Sequence, residues 1–103
     1  MSFAEFAASI LRDPAPPADL SPALRALWLD ARDDWDGAHA AAQEEPTRAC
    51  SWVHAYLHRK EGDIGNAGYW YARAKRTPPD DDVSLQVERD LIARELLGDV
   101  VKN

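Results

Sequence analysis

The sequence predicts an all-α domain of about six helices, and three observations carry that expectation. Apolar residues recur at helical spacing along most of the chain. Sustained alternation of apolar and polar residues is absent and β-branched residues are few, so strands have little support. Helix-start and helix-stop residues punctuate the chain at short intervals. A length of 103 residues suits one domain spanning 1–103, and 46% hydrophobic residues are enough for a modest core.

The first helix covers about residues 2–12. Ser2 and Glu5 have the spacing of a capping box, and Phe3, Phe6, Ala7 and Ile10 form one stripe. The proline-rich "DPAPPADL" then breaks the helix and forms a stiff linker. Ser21 is a good N-cap for a second helix with Pro22 at its first position, and Leu24, Leu27, Trp28 and Ala31 make the buried stripe. A short turn leads to a third helix with Trp35, Ala38 and Ala42 on one face, ended by Pro46. The fourth runs from about Thr47 to Lys60, with Ala49, Val53, Tyr56 and Leu57 apolar and Trp52 to one side. Gly62 supplies the permissive backbone that stops it. "DIGNAGYWYARAKR" is the fifth helix, with a packing face of Ile64, Ala67, Tyr71 and Ala74. "TPPDDD" stops it, and its carboxylates suit the start of a sixth helix over about Val83–Leu97. Leu85, Ile92 and Leu96 lie on one side of that helix, Val87 and Leu91 nearby, and Gly98 is the C-cap.

An internal repeat emerges from these elements. Aligning Asp33–Ala38 with Gly62–Ala67 gives a period of 29 residues, each segment following a longer helix. The unit is helix, tight turn, helix, twice over, the pattern of stacked supersecondary units. The second unit resembles a tetratricopeptide repeat: Ala55, Gly62, Ala67, Tyr71, Ala74 and Pro79 fall at that family's small, glycine, alanine, aromatic, alanine and proline positions. The first unit matches through Ala26, Ala38 and Ala42, with Asp33 where the glycine is expected. The resemblance covers about residues 21–79. It implies that small residues let paired helices approach closely and that the aromatic fills the gap between units. Three features depart from it: His54 and His58 stand where the family carries Leu and Tyr, Trp52 is one place off the usual Trp, and the period is shorter than about 34 residues. The motif H-A-Y-L-H-R-x-E-G-D…N-A-x-Y-W-Y is also similar to a group of small bacterial and fungal proteins, a likeness that implies no function.

The resemblance implies a grooved surface, and hence a protein-interaction module or adaptor for a protein or peptide. Two hairpins are few, so terminal helices, or a homodimer, are expected to cover the remaining apolar face. A formal net charge of −6, from 18 acidic and 12 basic residues, argues against general nucleic-acid binding. Arg59, Lys60, Arg73, Lys75 and Arg76 nevertheless cluster in sequence, either as a solvated face or as an anion-binding corner. The single Cys50 cannot form an internal disulfide, the N-terminus does not read as a signal peptide, and no apolar run is long enough to span a membrane. A cytoplasmic protein without a cofactor is the expectation; enzymatic activity is left open.

Two residue groups stand outside the hairpin framework. His54, His58 and Glu61, at i, i+4 and i+7, fall within an arc of about 60° on one helix face. Two histidines one turn apart can chelate a divalent metal, with Glu61 as a third ligand and His39 as the remaining candidate. No glutamate stands between the histidines as in zinc proteases, so structural, hydrogen-bonded imidazoles are the preferred reading and metal or small-ligand binding the alternative. Glu61 and Asp63 also have acid–base chemistry available, but capping explains Asp63 more simply. The second group is Asn66, Tyr69, Trp70 and Arg73, opposite the packing face of the fifth helix. Tyr69 and Trp70 are expected to cover the last helix around Leu85, Ile92 and Leu96; the competing reading makes the four residues a binding face of aromatic and Arg anchors.

Overall fold

A computed structural model describes residues 1–98; positions 99–103 of the expected domain lie outside the described residues. Six helices are present, and no strand occurs among the described residues: α1 (Phe3–Arg12), α2 (Pro22–Ala31), α3 (Trp35–Ala42), α4 (Arg48–Lys60), α5 (Ile64–Ala74) and α6 (Leu85–Leu97). The fold is all-α. Their ends follow local chemistry. Ser2 and Glu5 form a reciprocal capping box on α1. The hydroxyls of Ser21, Thr47 and Ser84 accept from backbone N–H groups in the first turns of α2, α4 and α6. Gly98 closes α6 in the left-handed region, at φ 73°. Two boundaries depart from expectation. Helix α5 stops at Ala74, because Lys75 adopts φ 58° and ψ 44°. Helix α6 is capped by Ser84 rather than by the preceding aspartates.

The 29-residue period is visible in the backbone. Asp33 and Gly62 occupy equivalent turn positions at φ 61° and φ 88°. The N–H of Asp33 reaches the carbonyl of Asp30 at 2.9 Å, and that of Gly62 reaches Arg59 at 3.1 Å. Asp34 N–H donates to Leu29 and Asp63 N–H to His58, both at 2.9 Å. The Asp34 and Asp63 carboxylates then cap α3 and α5. Two turns with the same hydrogen bonds therefore link α2 to α3 and α4 to α5.

Gly62 is the position where backbone shape decides residue type. Gly62→Ala should cost about 1 kcal/mol, since a Cβ is disfavoured at positive φ, and lower the melting temperature by roughly 4–8 °C. Gly68 lies mid-helix in α5 with open space where a Cβ would sit, so Gly68→Ala should raise stability by about 0.5–1 kcal/mol. Thermal melts followed by circular dichroism read both; a matching loss in the two variants would mean that turn strain is not the cause.

Helix α4 is the centre of the molecule and packs against α2, α3, α5 and α6. Every residue from Cys50 to His58 is buried, so it has no solvent face along two and a half turns. Close approach is permitted by alanines: Ala26, Ala38, Ala42, Ala55, Ala67 and Ala74 are all buried. Helix α1 is tied on by Trp28 Nε1, which donates to Ser9 Oγ at 3.0 Å, and by Arg32, which donates to the carbonyls of Ile10 and Asp13.

Two buried carboxylates hold the layers together, and neither was anticipated. Asp30 on α2 accepts from Tyr56 Oη at 2.6 Å and Lys60 Nζ at 2.7 Å, both on α4. Glu88 on α6 accepts from Arg59 at 2.9 Å and from the Tyr71 hydroxyl. Burial, reinforced by these carboxylates, pushes both phenols well above the usual tyrosine range, so they remain donors. Arg59 and Lys60 thereby leave the proposed basic corner and become structural partners, and Arg76 pairs with Glu95.

Candidate metal centre

A central helix buried on all sides must satisfy every polar side chain it carries. His54 and His58 are 3% and 6% exposed, and no described buried side-chain N or O lacks a partner. The partner of His54 is the third histidine, and that of His58 is Glu61. His39 projects from α3 toward α4, and its Nε2 lies 2.9 Å from His54 Nε2. One of the two nitrogens donates and the other accepts, so the pair shares a hydrogen between neutral rings. His54 and His58 stack at 4.8 Å between centroids, and His39 meets both edge-on. One nitrogen from each of the three rings lies within 4.8 Å of the others.

The surroundings of His54 and His39 disfavour the charged form of both rings. Burial lowers the His54 pKa to about 4, with help from His39 and His58 nearby. Burial also lowers that of His39, as does His58, while Glu61 and Asp36 act weakly against it. A neutral imidazole has one lone-pair nitrogen, so whichever Nε2 donates in the His39–His54 pair would carry its hydrogen on Nδ1 instead when both bind one ion.

Glu61 has a different place from the one its spacing suggested. Its Oε1 meets His58 Nδ1 at 2.5 Å. A carboxylate on Nδ1 fixes the ring's orientation and leaves Nε2 as its ligand atom, the outer-shell arrangement found around histidine-bound metals. Glu61 also lies close to His58 and Asp63 as an alternative oxygen-bearing group, but Glu61 and Asp63 are exposed while the three-histidine group is mostly buried.

Two indoles wall the cluster. Trp35 stacks on His39 at 4.8 Å with planes 10° apart, and its Nε1 donates to the Leu57 carbonyl at 3.1 Å. Trp70 stacks on His54 at 4.0 Å and 16°. Trp70 therefore does not cover the last helix. It covers the histidines, because α5 pairs along α4 and turns that face toward His54. Tyr69 is 54% exposed and likewise does not pack on α6; it meets Trp70 edge-on. Arg73 lies over both rings, and its Nη1 donates to Tyr69 Oη at 3.1 Å. Asn66 is exposed and takes part only through its backbone N–H, bonded to Asp63. Ile64, assigned to the packing face, is 66% exposed at the start of α5.

The sequence points to seven residues for binding, with His39 as an extra metal candidate. Six of the seven fall on or beside one cluster together with His39, and Asn66 stays apart. Trp35 reads in the sequence only as part of a core stripe, although its place four residues before His39 puts both on one helix face.

The donor set suits a first-row transition ion. Imidazoles favour zinc, copper, nickel or iron over calcium or magnesium, which prefer oxygen. In a tetrahedral zinc site, ligand nitrogens stand about 2.0–2.1 Å from the ion, hence about 3.4 Å apart. The 2.9 Å His39–His54 contact would open by about half an ångström, within reach of side-chain rotation. Comparison with known proteins finds no matching family model, no similar curated protein and no similar solved structure.

Proposed function

We propose that this chain is a divalent-metal-binding helical domain. Its centre would be His39, His54 and His58, with Glu61 orienting His58. The observation that carries the reading is the convergence of three ring nitrogens from two helices within 4.8 Å, two of the rings being buried. Apolar side chains could fill this volume without the cost of desolvating three imidazoles, so packing alone does not call for them. The tetratricopeptide-like scaffold fits the same proposal: histidines at positions that family fills with Leu and Tyr lie where two hairpins meet. On this reading the ion would staple the α2–α3 hairpin to the α4–α5 hairpin.

The interaction-module alternative used Asn66, Tyr69, Trp70 and Arg73 as contacts, with Trp70 as its largest anchor. The Trp70 ring is engaged with His54, which favours the metal reading over an aromatic docking face.

The test is zinc titration by calorimetry, paired with thermal melts. The expected result is one ion per chain. At a free zinc concentration 100 times Kd, binding should add about 2.7 kcal/mol of stability, a rise of about 10 °C or more in melting temperature. Neither heat of binding nor a shifted melt with zinc, copper or nickel would remove the proposal.

A further inference from the structure

We infer that the histidine centre, taken as a metal site as proposed above, holds its ion with one position open to a small monocarboxylate anchored by Arg73. Three protein nitrogens leave a four-coordinate ion one ligand short, the arrangement of zinc sites that accept an exogenous group. The cluster is not sealed: His39 is half-buried, and His54 forms part of the wall of a cleft of about 260 Å³. Trp70 and Arg73 line the same cleft, with Ser51, Gln43 and Glu45. The cleft is smaller than typical ligand pockets of about 300–1,000 Å³, so its occupant is small.

Arg73 supplies the charge. Among the described residues Arg73 has no carboxylate within 4.0 Å, as is also true of Arg32, Arg48, Lys75 and Arg94, but of these only Arg73 lines the cleft. It is not loose, however. The guanidinium carbon is 5.3 Å from the Trp70 centroid and 5.8 Å from the Tyr69 centroid, with one N–H on Tyr69 Oη. That leaves further N–H donors of a fixed, planar group, suited to paired hydrogen bonds with a carboxylate. Trp70, partly exposed, adds an apolar edge to the cleft against which a small organic body can rest. Glu45 on the cleft lining disfavours a second negative charge, which selects monoanions.

Cobalt(II) is the probe, because its visible absorption bands respond to ligand number and identity. The chain is loaded with cobalt and titrated with benzoate, with benzamide as the uncharged control. Benzoate is expected to shift the bands, benzamide to leave them alone, and Arg73→Gln to weaken the benzoate effect about tenfold or more. Bands that appear on loading but ignore benzoate up to tens of millimolar would overturn this inference and leave the metal proposal standing. Equal benzoate affinity in wild type and Arg73→Gln would remove Arg73 as the anchor and overturn it too. Absence of cobalt bands would instead defeat the underlying metal reading. Cobalt bands in Arg73→Gln before benzoate is added confirm that the variant keeps its centre.

Discussion

Glu88→Ala is expected to cost about 3–5 kcal/mol, a large share of the stability of a domain this size. Glu88 is 3% exposed and serves two donors from different helices, Arg59 on α4 and the Tyr71 hydroxyl on α5. Removing the carboxylate leaves the Tyr71 phenol without its acceptor, and leaves a guanidinium whose side chain is only 16% exposed without its counter-charge, held by the Val83 carbonyl alone. Losing one partner of a buried pair is far more damaging than replacing the whole set by apolar groups. The melting temperature should therefore fall by more than about 12 °C. The combination Glu88→Leu, Arg59→Met and Tyr71→Phe should recover much of that loss. A Glu88→Ala melt within a few degrees of wild type would show that the network contributes little.

The second large effect concerns metal affinity. His39→Ala should lower zinc affinity by at least about 100-fold, and should cost the metal-free chain about 1–3 kcal/mol because buried His54 loses its hydrogen-bond partner. A lost ligand must weigh more than a lost outer-shell partner, and outer-shell changes cost about 10–100-fold. His39 is half-buried, so its removal opens little core. Glu61→Ala should fall in that 10–100-fold range, because the carboxylate on His58 Nδ1 sets the ring rather than the ion. The ranking is the informative result. If Glu61→Ala weakened zinc more than His39→Ala, the ion would sit at the exposed His58, Glu61 and Asp63 group instead.

Local chemistry made most of the helix ends legible in the sequence. Ser2 with Glu5, Ser21 with Pro22, Thr47, and Gly98 act through hydrogen bonds a few residues long, so their pattern can be read along the chain. The 29-residue period was legible for the same reason, and Asp33 at positive φ explains how an aspartate holds the glycine position of the first turn. Long-range pairings were not legible. Asp30 and Glu88 look like ordinary surface acids until Tyr56, Lys60, Arg59 and Tyr71 are brought to them from 17 to 30 residues away. Trp70 was sent to the wrong helix because periodicity identifies a face but not the neighbour it meets. The site was half legible. His54 and His58 share a face by spacing alone, whereas His39 joins them only through the docking of one hairpin on the next.

The duplicated turn also bears on how the chain folds. Each hairpin closes through hydrogen bonds that span only three to five residues, so neither must wait for a distant segment. The molecule thus holds two equivalent starting points, and structure can spread from either, as in repeat arrays. Weakening one turn would redirect folding through the other, and the damage would surface mainly as faster unfolding.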